Sequence, residues 1–161
     1  MKLPSRRGAA VLIAAFAVAL FLSGCSSTPD APPPQTAQQI VSDLTAKIGT
    51  AKPGQVITAQ NAPNKLLGRP GQYTSAAIFT DSRVPKDSQN PDQLSTDNGG
   101  KVEVFASEDE AKSRYDYIQG LAKQTPLAAE YDYLSGPVLV RVTKNLDPDA
   151  AKQYQDALGG R

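Results

Sequence analysis

Glu130-Tyr131-Asp132-Tyr133-Leu134-Ser135-Gly136-Pro137-Val138-Leu139-Val140-Arg141-Val142-Thr143 reads as two short strands joined by a turn. Val138, Val140 and Val142 alternate, as in a strand with one face on a core, and Tyr131 and Tyr133 share a face on the way in. Ser135-Gly136 is the expected turn; a bulge at Gly136-Pro137 within one bent strand is the alternative. On both sides the apolar period changes to that of a helix. Downstream, Asp147-Pro148 supplies an N-cap and a first-turn proline, Ala151, Tyr154 and Leu158 form a stripe, and Gly159-Gly160 stops it. Upstream, Ala111, Tyr115, Ile118 and Ala122 keep helical spacing behind Ser107-Glu108-Asp109-Glu110, a capping-box pattern with acidic residues at the positive helix end. Glu108 with Lys112, and Glu110 with Arg114, stand at the i,i+4 spacing of outward ion pairs.

A strand is predicted over 101–106, with Val102 and Val104 on one face, and another over 73–81, carrying Tyr73, Ile78, Phe79 and Thr80. The first helix is predicted over 37–48, capped by Thr36 with Gln39 three residues on; Ala37, Ile40, Val41, Leu44 and Ile48 line one side. Gly49 stands at its stop. Pro53-Gly54 reads as a turn before a short Val56-Ile57 strand, and residues 61–67 as a helical turn ended by Gly68. Residues 83–100 are polar with two prolines, and read as a long exposed loop, the least structured part of the domain. The predicted fold is α+β, a small, mostly antiparallel sheet of three to five strands with about three helices on one face. It occupies residues 36–161 as a single domain.

What precedes the domain has a different physical character. Lys2, Arg6 and Arg7 make a basic start, and residues 8–22 are uncharged and strongly apolar, but short for a membrane span of about 20 residues. This is the pattern of a secretory signal over 1–24. Leu22-Ser23-Gly24-Cys25 closes it and resembles the lipobox of bacterial lipoproteins. The resemblance implies cleavage before Cys25 and a diacylglyceryl anchor on its thiol, and Cys25 is the only cysteine. Two acyl chains anchor stably where one is marginal. Ser5-Arg6-Arg7 also resembles a twin-arginine start, although Gly8-Ala9-Ala10 stand where that motif carries large apolar residues, and the very apolar run fits the general secretory route better. Residues 25–35, with Pro32-Pro33-Pro34, read as an extended tether.

Composition limits the chemistry. Without Lys2, Arg6 and Arg7, 14 basic residues face 16 acidic ones, so neither a nucleic-acid footprint nor a polybasic membrane patch is expected. There is no histidine, which removes Ser-His-Asp and Cys-His catalysis and the usual zinc sites. Gly68-Arg69-Pro70-Gly71 lacks the Lys-Ser/Thr of a phosphate loop and reads as a turn. Asp81, Asp87, Asp92 and Asp97 lack calcium-loop spacing. Glu108-Asp109-Glu110 is explained by its helix start. Tyr115, Tyr131, Tyr133 and Tyr154 are read as core bulk with hydroxyls at the rim rather than a binding face.

Residues 64–73, Val102-Glu103-Val104-Phe105 and residues 136–142 together resemble a group of small actinobacterial lipoproteins of unknown function, a likeness running from Asn64 to Leu158. Leu67-Gly68-Arg69-Pro70 alone is similar to the Leu-Gly-x-Pro turn of small outer-membrane assembly lipoproteins with a β-lactamase-inhibitor-like fold. The functional expectation is a non-enzymatic envelope module at the outer face of the cytoplasmic membrane. It would bind a protein or wall component, with no cofactor, no metal and no nucleic acid. The alternatives are a wall-directed enzyme using carboxylate or Ser/Lys chemistry, and a small-ligand carrier.

Overall fold

The computed structural model describes residues 35–159. The signal, the lipobox residues Leu22, Ser23, Gly24 and Cys25, and the tether up to Pro34 lie outside the described residues, as does Gly160. Along the chain run α1 (Ala37–Lys47), β1 (Ala51–Ile57), β2 (Ser75–Asp81), β3 (Gly99–Val104), α2 (Glu108–Gln124), β4 (Glu130–Ser135), β5 (Val138–Thr143) and α3 (Pro148–Gly159). The strands form one antiparallel sheet in the order β1-β2-β3-β5-β4, with β1 and β4 as edges. The fold is α+β, with five strands and three helices.

Local chemistry sets the element ends. The Thr36 side chain accepts the Gln39 N–H while the Gln39 side chain accepts the Thr36 N–H, which completes the predicted capping box. Ser75 Oγ accepts the Ala37 N–H at 3.0 Å, tying the start of α1 to the start of β2. The β4–β5 hairpin turns at Gly136-Pro137, where Gly136 takes φ +54°. Asp147 stands at the N-cap position of α3, its carbonyl accepting the Ala151 N–H.

Three expectations are corrected. Pro53-Gly54 lies inside β1 rather than in a turn, at a register shift between Pro53 and Val56; an edge strand tolerates a proline that cannot donate. Residues 61–67 form turns without a helix. The third concerns the helices, which do not share one face. Ala77, Phe79, Val102, Val104, Val140 and Val142 pack against α1 and α3, whereas Ala76, Ile78 and Leu139 pack against Ala111 and Ile118 of α2. Every residue of β3 is buried, so the sheet is covered on both sides at its centre. On the α1/α3 side Phe79 stacks on Tyr154 with ring centroids 4.8 Å apart. A Cβ at Gly100 would run into that Phe79 ring and the Arg141 carbonyl, so β3 needs glycine there.

Candidate functional site

The polar segment between β2 and β3 is held more tightly than its composition suggests. Val84 is buried, and two short 3₁₀ turns (Lys86–Ser88 and Thr96–Asn98) frame it. Asn98 is the pin: its Oδ1 accepts the Asn90 N–H at 2.7 Å, and its Nδ2 donates to the carbonyls of Asn90 and Asp92. Asn145, in the β5–α3 connection, donates to the carbonyls of Ser88 and Asp97. Side-chain amides thus replace the missing apolar residues.

Between this segment and the sheet lies a groove of about 280 Å³, lined by Thr50, Lys52, Thr80, Ser82, Gln89 and Gln93 beside Asp81, Asn90 and Asn98. It is rich in amides and hydroxyls, which donate and accept without a fixed charge. Its rear is rigid. Asp81 accepts from Thr50, from Tyr154 Oη at 2.7 Å and from both the Nε and Nη2 of Arg83. Burial works against the Asp81 charge, but the Arg83 and Tyr154 bonds outweigh it and hold the carboxyl below the usual range. With its oxygens committed in this way, Asp81 is an anchor rather than a base. The groove sits where β2 ends, and α1 enters where β2 begins. Seven residues of strand, about 20 Å, separate the two.

Two further recesses are present. One, of about 350 Å³, lies between Leu66, Gly71 and Gln72 and the Ser113, Arg114 and Tyr117 positions of α2. The other, of about 520 Å³, is bordered by Gln35 and Thr36 together with Val104, Phe105 and Pro137, where the domain begins.

Under α2 lies a second polar arrangement, inside the fold. Glu103 of β3 is fully buried, with Arg114 Nε at 3.2 Å, Arg141 Nη1 at 3.1 Å and Lys101 Nζ at 3.8 Å. Burial opposes its charge, but Arg141, Arg114 and Lys101 prevail and lower its pKa. Burial lowers the pKa of Lys101, against the pull of Glu103. Arg141 also donates twice to Glu130, from Nε at 2.7 Å and Nη2 at 3.1 Å. Asp132, paired with Arg141 across the strands, accepts from Gln119 Nε2 at 2.7 Å; its Oδ1 is buried without a hydrogen-bond partner. Burial, then the Glu130 charge, pushes the Asp132 carboxyl up to about 7.

The acidic residues singled out in the sequence do not converge. Asp92 and Asp97 accept local turn bonds, from the Leu94 N–H and from Asn90 and Ser95 respectively; Asp87 is exposed in the first 3₁₀ turn. Gly68 and Gly71 both take positive φ in a turn. Ser107 accepts the Glu110 N–H, but Glu110 reaches back to the Ala106 N–H rather than to that of Ser107. The expected outer pairs are replaced: Lys112 joins Asp116, and Arg114 turns inward to Glu103. Tyr154 is buried, and Tyr131, Tyr133 and Tyr115 are partly buried against the two cores. Sequence reasoning missed Lys101, Glu103, Asn98 and the groove. The signal for Glu103 was a charge between two core valines. Among the described residues no helix is long and apolar enough to cross a membrane.

No protein-family model, curated protein or solved structure matches this chain.

Proposed function

We propose that the chain is an envelope lipoprotein, anchored through Cys25 at the outer face of the cytoplasmic membrane, that works as a non-enzymatic binding module for a protein or wall component. The observation that carries the reading is the placement of the amide- and hydroxyl-lined groove. It opens at the end of β2 opposite the one to which the Ser75 hydrogen bond ties the start of α1. The amides and hydroxyls, with the Lys52 ammonium beside them, suit recognition of a polar group. The lipobox resemblance supports the anchor, and the lack of histidine supports binding over hydrolysis.

Two experiments test this reading in cells. Cys25→Ala should abolish lipid labelling and leave uncut precursor or released protein; a variant still processed and membrane-bound overturns the anchor. A photo-crosslinking residue at Gln93, in the groove, should capture one predominant envelope component, and the same residue at exposed Gln155 on α3 should not. Identical capture from both positions, or none from Gln93, overturns the groove as the binding site.

A further inference from the structure

We propose that Asp132 holds a buried proton directed at Glu130, and that this proton is a pH-sensitive latch between α2 and the edge strand β4. The two acids are two residues apart on one strand and therefore on one face. The groups that act on Asp132 are Glu130 and Tyr133 from β4, Arg141 opposite it on β5, and Gln119 from α2, and Lys101 of β3 lies next in register beyond Arg141. The cations are already engaged: Lys101 and Arg114 lie on Glu103, and Arg141 is divided between Glu103 and Glu130. Arg141 also acts on Asp132, but less than burial and the Glu130 charge. Gln119 satisfies Oδ2, which leaves Oδ1 buried, without a donor, beside a second carboxylate.

A proton resolves this arrangement. Protonated Asp132 donates its O–H to Glu130, while its carbonyl oxygen still accepts from Gln119, so every polar atom of the pair is satisfied. Burial and the neighbouring Glu130 charge both favour that proton on Asp132. Loss of that proton leaves an unpaired buried oxygen and two like charges between β4 and the middle of α2. The strain falls on an edge strand, which has hydrogen-bonded neighbours on one side only. It also falls on the helix segment leading into the 3₁₀ turn Pro126–Ala128, whose Pro126 and Leu127 carbonyls are held by Lys144 Nζ.

The experiment is a carboxyl-carbon NMR titration of the full chain, together with hydrogen exchange of residues 115–135 at pH 5.5 and 8 corrected for intrinsic chemistry. Asp132 should titrate near 7, and protection over 115–135 should fall at least tenfold at the higher pH. Asp132→Asn presents an amide that accepts from Gln119 and donates to Glu130 as the protonated acid does. It should therefore keep the acidic-state protection at both pH values. An Asp132 carboxyl titrating near 4 in the wild type would overturn the latch. So would an Asn variant that retains the wild-type pH dependence.

Discussion

The two faces of the sheet solve the same packing problem with opposite chemistry. Against α1 and α3 the strands present Ala77, Phe79, Val102, Val104, Val140 and Val142, and the layer is closed by Leu44, Tyr154 and Leu158. Against α2 they present Ala76, Ile78 and Leu139, but also Lys101, Glu103, Arg141, Glu130 and Asp132. The first face gains from removing carbon from water, at about 25 cal/mol per Å². The second takes charges out of water and recovers the cost only through mutual neutralisation. The apolar face should thus tolerate loss of single groups in proportion to their volume. The ionic face should fail wherever one charge loses its partner.

The largest expected effect follows from that difference. Glu103→Ala leaves Arg114, Arg141 and Lys101 without their common acid, and removal of one partner from a buried ion network costs about 3–5 kcal/mol. Urea denaturation should show a midpoint shift of that size. A loss below about 1 kcal/mol would mean that water reaches the cluster and that α2 is not its lid.

On the apolar face, Leu44→Ala should cost about 2–5 kcal/mol, from lost burial plus the cavity left under α1. No ionisable group is involved, so this loss should be the same at pH 5 and pH 8. A strong pH dependence would show that the two faces are coupled through the sheet.

The contrast also explains what the sequence disclosed. The apolar face was legible because the alternation of Val102 with Val104 and of Val138 with Val140 and Val142, like the stripes of α1 and α3, follows the ordinary rule that a periodic apolar set marks the core. The ionic face breaks that rule. Lys101, Glu103 and Arg141 alternate with the valines as a solvated face would, a pattern that places all three helices on one side. Arg114 on α2 stands at i,i+4 spacing from Glu110, which reads as an outward pair although the side chain turns inward to Glu103. The groove was illegible for another cause: it depends on Asn98 and Asn145 bonding backbone carbonyls far away in sequence, and an amide carries no periodic signature.

Acid and base act on the ionic face in opposite senses. Glu103 has a lowered pKa, so its contribution is complete above the unfolded value of about 4.3 and drains away as pH falls through the folded value. Asp132 is raised to about 7, so between about 4 and 7 the native state holds a proton that the unfolded chain has released. Stability due to Asp132 therefore falls as pH rises through that window, and the optimum for the ionic face lies near about pH 4–5. The fall is on the order of a few kcal/mol, since each pKa unit is worth about 1.36 kcal/mol. Asp132→Asn should gain that amount at pH 8 and nothing at pH 4. Equal gains at both would assign the effect to packing instead of charge.

The smallest expected effect separates ion pairing from burial. Lys112 and Asp116 form an i,i+4 pair at 2.7 Å on α2, closer than either arginine comes to Glu103. If short distance were what made the ionic face strong, this pair would rival it. Its side chains, however, are 65% and 57% exposed, against 0% for Glu103, so water screens both charges in the folded and unfolded states alike. A double-mutant cycle with Lys112→Ala and Asp116→Ala should give a coupling of about 0.3–0.5 kcal/mol, shrinking toward zero in about 1 M salt. The Arg114–Glu103 pair should keep most of its coupling at the same salt, because ions do not enter the space beneath α2. If both couplings collapsed together, the charges under α2 would be hydrated, and the two faces of the sheet would differ in composition but not in the way they are held.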